Sequence, residues 1–250
     1  MSGRAVTLDL TSTRLWLSSG LSAKDREVLE SAFREVRHLE TGRTIVREGG
    51  PADSLHLLLD GWAYRYKLAK DGSRQIPALL TPGDFCDLDT LLFDRLDYGI
   101  TTLSPCSVAV LPRDDARRII ARHPGIAAAL WWLMAVENST LSEWTLCLGR
   151  RSAVQHLAHL LCELLVRLSA VGRVEQNGYA LPLTQEQLAD VLGLTAVHVN
   201  RTLQTLRNDG LISLRHGRLT ILNWPALKAL SDFRSGYLHP EGMRRSPEAA

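Results

Sequence analysis

The chain of 250 residues carries 29 Lys and Arg, 27 Asp and Glu, and 45% hydrophobic residues. Its length fits one large or two ordinary domains, and its composition excludes an intrinsically disordered chain because a normal core is available. Residues 1–149 hold 17 basic against 19 acidic side chains (−2), whereas residues 150–250 hold 12 against 8 (+4). A basic C-terminal part is compatible with phosphate contacts there, although a solvated basic face is the simpler explanation of this charge alone.

The sequence indicates neither export nor a cofactor. The N-terminus lacks an apolar segment of signal-peptide length, and the longest apolar run, Ile126–Val136, is too short to span a bilayer. We therefore expect a cytoplasmic protein without membrane contact. The spacing of the four cysteines excludes a CxxC motif, so we expect buried reduced thiols and no metal or iron–sulfur site. These cysteines are Cys86, Cys106, Cys147 and Cys162.

The segment from Leu21 to Leu111 has the short apolar runs and frequent turn dipeptides that are typical of β structure. A helix is expected first, with Ser22 as its N-cap and Asp25 at its third position. After it, turn dipeptides such as Asp71-Gly72 separate short runs of strand-forming residues. In one run, Trp62, Tyr64, Tyr66 and Leu68 alternate with Ala63, Arg65 and Lys67, which predicts a half-buried strand before a hairpin. Several strands at this spacing predict a jelly-roll-like barrel.

From Pro124 to Gly149 the pattern changes to that of one long helix. Its apolar residues recur at steps of four and three, which is the seam of a short coiled coil and predicts a dimer axis. The alternative is a helix packed on its own barrel, for which Trp131 and Trp132 are available. If the seam is a dimer axis, its one charged residue, Glu137, meets its own copy or a nearby arginine. The predicted seam consists of Leu130, Met134, Glu137, Leu141, Trp144 and Leu148.

The segment that follows Arg150 predicts another apolar helix, "RRSAVQHLAHLLCELLVRL". His156, His159 and Cys162 lie within it at steps of three and could ligate a metal. We expect them to be packed core residues instead, because no fourth donor is suitably spaced.

The stretch "LTQEQLADVLGLTAVHVNRTLQTLRNDGLI" predicts two short helices joined by a tight turn. Thr184 and Gln187 form a capping box, Gly193 ends the first helix, and Thr195 caps the second. This is a helix-turn-helix. The alternating residues on both sides of His216-Gly217 then predict a two-residue hairpin, which adds a wing.

The outer face of the second helix carries side chains suited to DNA. Arg201 can donate two hydrogen bonds to guanine, Asn200 can pair with adenine, and Val197 can touch a thymine methyl group. We expect phosphate contacts that position the helix from a second set of residues. A helix-turn-helix that docks only protein is the alternative, and it would favour a more apolar face. The phosphate set consists of Thr184, Thr195, His198, Gln204 and Arg218.

With these motifs, residues 15–235 resemble the Crp–Fnr superfamily of transcription regulators. The motifs that carry the resemblance are Leu183–Ile212 and, less specifically, "EGGPADSLHLLLDGWA" followed by "PGDF". It implies an α+β fold, a homodimer on a near-palindromic double-stranded DNA site, and contact with RNA polymerase. The implied organisation is a flexible N-terminus (1–14), a cyclic-nucleotide-binding-like β-roll sensor domain (15–123), a dimerisation helix (124–149), a winged helix-turn-helix domain (150–235) and a flexible tail (236–250).

The sequence departs from that family at both of its sites. Ala196-Val197 stands where relatives carry Arg-Glu or Val-Glu, so the recognised half-site is expected to differ. Cyclic-nucleotide binders hold the ligand with a Gly-Glu pair and an Arg-Ser or Arg-Thr pair, both missing from "PGDFCDLDTLLFDRLDYGITT". Any effector pocket should lie near Asp87, Asp89 and Arg95. Because the aspartates would repel a phosphate, we expect a signal other than cyclic AMP.

The residues disfavour three further kinds of site. The oxygen-sensing branch is not supported, because it needs an N-terminal cysteine cluster and Cys86 is the first cysteine. Haem ligation by His56 or Cys86 has no supporting spacing. An iron oxygenase of cupin type would need a His-x-His motif, and the sequence has none, so we expect no enzyme activity. The remaining alternative to a DNA-binding regulator is a ligand-binding regulatory protein that docks protein through its C-terminal domain.

Overall fold

A computed structural model describes residues 8, 10, 11, 13–17 and 21–242. The chain divides into two compact units. The N-terminal unit contains the chain up to Lys67, Leu79–Glu137 and the segment from His239. The C-terminal unit contains Leu68–Ala78 and Asn138–Leu238. The predicted boundary at residue 123 is therefore replaced by one within the long helix, and a hairpin tip of the barrel joins the C-terminal unit.

The N-terminal unit is built on two antiparallel sheets. In its described part, one sheet has the order β1-β7-β3 and the other the order β2-β6-β4-β5. This arrangement confirms the predicted roll of short strands. The strands are β1 (Glu35–Leu39), β2 (Thr44–Val46), β3 (Ser54–Asp60), β4 (Ala63–Leu68), β5 (Arg74–Leu80), β6 (Gly99–Thr102) and β7 (Cys106–Pro112).

Turn glycines set the ends of these strands, as the sequence indicated. Gly61 and Gly72 have φ angles of 85° and 84°, a region that favours glycine. A Cβ atom at Gly61 would lie 2.2 Å from the carbonyl oxygen of Pro105, so this turn requires a residue without a side chain. The β4–β5 hairpin turns at Asp71-Gly72, where the Asp71 carboxylate accepts hydrogen bonds from Ser73.

Helices flank the sheets of the N-terminal unit. The short α1 (Arg14–Leu17) precedes α2 (Ala23–Ala32), whose capping box of Ser22 and Asp25 was predicted. The sequence did not indicate α3 (Arg113–Arg122), which begins directly after β7. This helix is mostly charged, so the few residues that face the core, such as the buried Ala116, give no clear helical pattern in the sequence. Leu29, Leu55 and Leu57 lie in that same core.

The long helix is α4 (Pro124–Arg150), and its exposed face differs from the predicted seam. Leu130 and Trp144 are buried by their own chain, and Glu137 pairs with Arg65. The prediction that these three residues line a dimer axis is therefore wrong. Met134 packs partly on the core, whereas Leu141 and Leu148 remain exposed.

The exposed face of α4 follows the same steps of four and three, displaced by one residue. We call this set the exposed stripe. One residue corresponds to about 100° around a helix, so the stripe points well away from the predicted seam. The exposed stripe consists of Trp131, Ala135, Asn138, Ser142, Thr145 and Gly149.

The C-terminal unit combines helices with a small sheet. As predicted, it contains a buried helix, a helix-turn-helix and a hairpin; the sequence did not indicate the strand β8, which pairs with β10. The described elements are α5 (Ala153–Ala170), β8 (Gly178–Ala180), α6 (Gln185–Leu192), α7 (Ala196–Asn208), β9 (Ile212–Arg215), β10 (Arg218–Ile221), α8 (Trp224–Leu230) and a 3₁₀ turn (Ser235–Leu238).

The terminal segments are partly packed rather than flexible. Leu10 is fully buried in the N-terminal core, and the Tyr237 hydroxyl donates to Glu163 at 2.7 Å. The expectation of flexible chain is wrong at these residues. Most of residues 1–14 and all of 243–250 lie outside the described residues. In the described chain no single helix is long and apolar enough to cross a membrane; the bent pair α3 and α4, with 117° between them, passes that test together.

Candidate nucleic-acid interface

The helix-turn-helix has the local geometry that its sequence predicts. The Thr184 hydroxyl accepts from the backbone of Gln187, whose side chain accepts from the Thr184 backbone. Gly193 ends α6 in the left-handed conformation with φ 64°, and the Thr195 hydroxyl caps α7 by accepting from the His198 backbone. These caps satisfy backbone donors at both helix starts. The start of α7 is therefore held firmly in place.

Helix α7 buries one face and exposes the predicted recognition face. Its buried residues are Val199, Thr202, Leu203 and Leu206. Val197 is 63% exposed, Arg201 is exposed, and Asn200 is half-buried. An exposed valine surrounded by hydrogen-bonding side chains gives a face that can contact base edges. The sequence did not mark Thr202, whose hydroxyl donates to the His198 carbonyl within the helix.

The predicted phosphate-contacting residues differ in how free their polar groups are. Thr184 and Thr195 use their hydroxyl groups as helix caps, so they offer donors mainly through the helix ends. His198 is exposed at the start of α7. Gln204 donates to the Asn200 side-chain oxygen at 2.9 Å, which orients the Asn200 amide. A donor on Asn200 remains for a base edge.

The wing is the hairpin of β9 and β10. His216 and Gly217 have φ angles of 49° and 72°, the two positive values that a type I′ turn requires. Arg218 donates through Nη2 to the backbone carbonyls of Glu175 and Gly178, at 2.9 and 3.3 Å. Its guanidinium is thus partly committed to the β8 side, although its side chain is 48% exposed.

The tip of the β4–β5 hairpin contacts the helix-turn-helix within the C-terminal unit. Arg74 donates from Nε to the Asp190 carboxylate on α6 at 2.7 Å, and its Nη2 lies 2.6 Å from the same oxygen. Gln75 donates to the Val191 carbonyl at 3.2 Å. Sequence patterns carry no signal for this contact because the partners lie more than 110 residues apart.

The three residues predicted near an effector pocket do not converge. Asp87 is fully buried and accepts from the backbone and ring nitrogen of His56, at 2.7 and 2.6 Å. Asp89 accepts from the Tyr98 hydroxyl. Arg95 is exposed and donates to the Gly49 carbonyl. Among these, only Asp87 lines a cavity of about 440 Å³ between β2, β3 and the 3₁₀ turn at Leu88–Leu91.

A second polar cluster in the N-terminal unit surrounds Arg65. Its guanidinium, 8% exposed, pairs with Glu137 of α4, donates to the Cys86 carbonyl at 2.8 Å, and lies 4.2 Å from the Tyr98 ring centroid. Burial raises the pKa of Glu137, an effect that the charge of Arg65 opposes. The alternation along this strand gave no sign that Arg65 is buried; these three contacts explain its burial. Glu137 thus meets an arginine of its own chain rather than a partner across a dimer axis.

The metal ligands considered on α5 are not gathered together. His156 and His159 are buried, and burial lowers their pKa values to about 4 and about 3. Cys162 Sγ lies 3.9 Å from Ser231 Oγ. His159 stacks on Tyr237 with ring centroids 5.8 Å apart. All four cysteines lie in the described part of the chain, and none forms a disulfide.

A β-roll followed by a long helix and a winged helix-turn-helix defines a DNA-binding regulator by architecture. Comparison with known families agrees: a Crp-like helix-turn-helix domain matches residues 155–230, and a cyclic nucleotide-binding domain matches residues 36–123. The nitrogen fixation regulation protein FixK of Bradyrhizobium diazoefficiens is 30% identical over 213 residues, covering 85% of this chain and 88% of FixK.

Two further relatives give the same result. The transcriptional activator protein FnrL of Cereibacter sphaeroides is 30% identical over 193 residues, covering 76% of this chain and 77% of FnrL. The structure of FixK2 from Bradyrhizobium japonicum matches with a TM-score of 0.73 and 26% identity, covering 78% of this chain and 96% of FixK2. The chain belongs to the Crp–Fnr family of transcription regulators, as its sequence motifs predicted.

Proposed function

We propose that this regulator binds a near-palindromic DNA site as a homodimer, with one α7 helix in each of two successive major grooves. The observation that carries the proposal is the exposed face of α7, where Val197, Asn200 and Arg201 project between well-formed caps. Arg201 contacts a guanine and Asn200 an adenine in each half-site. Two such helices, related by the two-fold symmetry of the dimer, would lie about one turn of the DNA apart and would therefore bind a near-palindromic site.

The exposed stripe on α4 supports the dimer. It presents Trp131, 63% exposed, and then small or short polar residues that allow a second helix to approach closely. Leu141 and Leu148 flank it and add apolar surface. Because steps of four and three keep these residues on one side of α4, a second copy of the helix can lie along the whole stripe. Ala135→Arg should therefore give a monomer by light scattering, whereas Arg118→Ala, an exposed change on α3, should leave the dimer intact.

The N-terminal roll biases DNA affinity through a signal other than a cyclic nucleotide. Tyr98 and Gly99 lie in the segment where the family's phosphate-binding arginine is expected, and Tyr98 donates to Asp89. Arg65, a buried cation 4.2 Å from the Tyr98 ring centroid, is already paired with Glu137. A cyclic phosphate would have to break that pair and approach the carboxylates of Asp87 and Asp89.

The same proposal includes RNA polymerase as a partner, as expected for a transcription regulator of this family. The direct test of sequence-specific DNA binding is selection of bound duplexes from a random pool by the purified full-length protein. The proposal predicts a palindrome with a guanine in each half-site. Recovery of duplexes without any shared sequence, both with and without added cell extract, would refute sequence-specific binding. It would favour a C-terminal domain that docks protein.

A further inference from the structure

Three potential metal ligands meet inside the C-terminal unit, away from the proposed DNA-binding face. Glu143 and Cys147 lie one turn apart on α4, and His159 faces them from α5. Their carboxylate oxygen, Sγ and ring nitrogen all lie within 4.8 Å of one another. Cys147 and His159 are each 1% exposed, whereas the Glu143 side chain retains 21% exposure and leaves an entry path.

The imidazole of His159 is fixed with one nitrogen directed at this cluster. Its Nε2 atom is buried and has no hydrogen-bond partner among the described residues, although it lies 3.2 Å from Glu143 Oε1. Tyr237 stacks on the ring, and the Phe233 ring meets it edge-on at 5.1 Å between centroids. A buried nitrogen without a partner is costly unless something binds it.

The cluster already holds a positive charge. Arg151, which lies between α4 and α5, places Nη1 2.6 Å from Cys147 Sγ and 2.7 Å from Glu143 Oε1. One guanidinium therefore bridges two of the three candidate ligands. The side chain of arginine is long and its charge is stable in water, so Arg151 can move outward when another cation binds.

We propose that Glu143, Cys147 and His159 bind a divalent transition-metal ion of the Zn²⁺ type, which displaces the Arg151 guanidinium. Carboxylate, thiolate and imidazole are the zinc ligands of proteins, and a water molecule completes a tetrahedron. The cysteine proton leaves to solvent on binding. Two ligands about 2.0–2.1 Å from a tetrahedral ion lie roughly 3.3 Å apart, close to the observed 3.2 Å between His159 and Glu143. Thiolate and imidazole exclude Mg²⁺ and Ca²⁺ as the preferred ions.

Such an ion would join the last turns of α4 to α5 across the bend at Arg151. Glu143 and Cys147 lie about 120° or more around α4 from most of the exposed stripe, so dimerisation and metal binding use different faces. An ion bound only by the folded chain stabilises it. The site therefore adds a metal-dependent clamp on the segment that leads to the helix-turn-helix.

The test is a titration of the purified full-length protein with Co²⁺, a spectroscopic substitute for Zn²⁺. We expect one Co²⁺ per chain, a thiolate-to-cobalt charge-transfer band, and visible bands of a tetrahedral ion that Zn²⁺ removes. Cys147→Ser should abolish the charge-transfer band, whereas Cys162→Ser, a change at another buried cysteine, should retain it. Circular dichroism confirms that each variant is folded.

Arginine variants provide a gain of affinity that cannot arise from unfolding. Arg151→Gln removes the competing cation and should tighten Co²⁺ binding by about tenfold, the equivalent of one charge-assisted hydrogen bond that the ion no longer has to break. Arg150→Gln, at the exposed neighbouring position, should leave affinity unchanged. The proposal is overturned if neither wild type nor Arg151→Gln shows a charge-transfer band, if the band survives Cys147→Ser, or if Arg151→Gln fails to tighten binding.

Discussion

Removing one partner of the buried pair of Arg65 and Glu137 should lower the unfolding free energy of the N-terminal unit by several kcal/mol. Glu137→Leu leaves the guanidinium, 8% exposed, without its ion-pair partner; it retains the Cys86 carbonyl, the Tyr98 ring and the weaker charge interactions with Asp87 and Asp89. Removing one partner of a buried pair costs ~3–5 kcal/mol. The Glu137 side chain keeps 29% exposure, so we expect the lower end of that range.

The assay is urea unfolding followed by far-ultraviolet circular dichroism. Glu137→Gln retains a hydrogen-bond acceptor and should cost only about 1–2 kcal/mol. The double variant Arg65→Met with Glu137→Leu should recover most of the loss, because it leaves no unpaired buried charge. Asp97→Asn is the matched control: its partner Lys67 lies on the same strand as Arg65, but that pair is largely exposed and should be worth less than ~1 kcal/mol. If Glu137→Leu costs no more than Asp97→Asn, the proposed network is wrong.

Three shorter predictions concern the C-terminal unit. Gly193→Ala should destabilise by more than ~1 kcal/mol, as measured by thermal unfolding, because φ is 64° and its Cβ would lie 3.1 Å from Leu148; an effect below that size would contradict the left-handed turn. Arg74→Ala should lose ~0.5–1 kcal/mol through the half-exposed pair with Asp190, unlike Lys70→Ala at the exposed hairpin tip; equal losses would refute the contact. Burial, aided by the Arg151 charge, lowers the pKa of His156 to about 4. The stability that neutral His156 contributes is therefore complete above about pH 6.5, and it is lost as the pH falls towards 4. Urea titrations at several pH values should show a shallower acid dependence for His156→Gln, and an unchanged slope would contradict its burial.

Local chemistry made the DNA-binding half of the molecule predictable. The capping boxes, the glycine at the α6–α7 turn and the His216-Gly217 hairpin are each determined by a few adjacent residues, and the structure confirms them. The sequence also identified the exposed side chains of α7, because a surface helix rarely combines a bare valine with short polar groups. Strand β8 was missed since three residues give too short a pattern.

Contacts between distant residues were not predictable in the same way. The seam predicted on α4 failed at Leu130 and Trp144 because an apolar repeat does not indicate whether it packs on its own chain or on a second copy. The burial of Arg65 could not be predicted, because alternation along a strand carries no information on a partner 72 residues away. The cluster of Glu143, Cys147 and His159 had one detectable signal, the spacing of four between its first two members, but its third member comes from another helix.

The most direct test of the account is the base preference of Arg201→Ala in selection from a random duplex pool. Arg207→Ala is the matched control, because Arg207 lies on the same helix about 120° away and donates to the Leu203 carbonyl. We predict that Arg201→Ala loses the guanine preference at one position of each half-site, at a cost of ~1–3 kcal/mol there, and keeps the base preferences at the remaining positions. Arg207→Ala should recover the wild-type sequence. If Arg201→Ala selects the same site with the same affinity as wild type, α7 does not recognise bases as proposed.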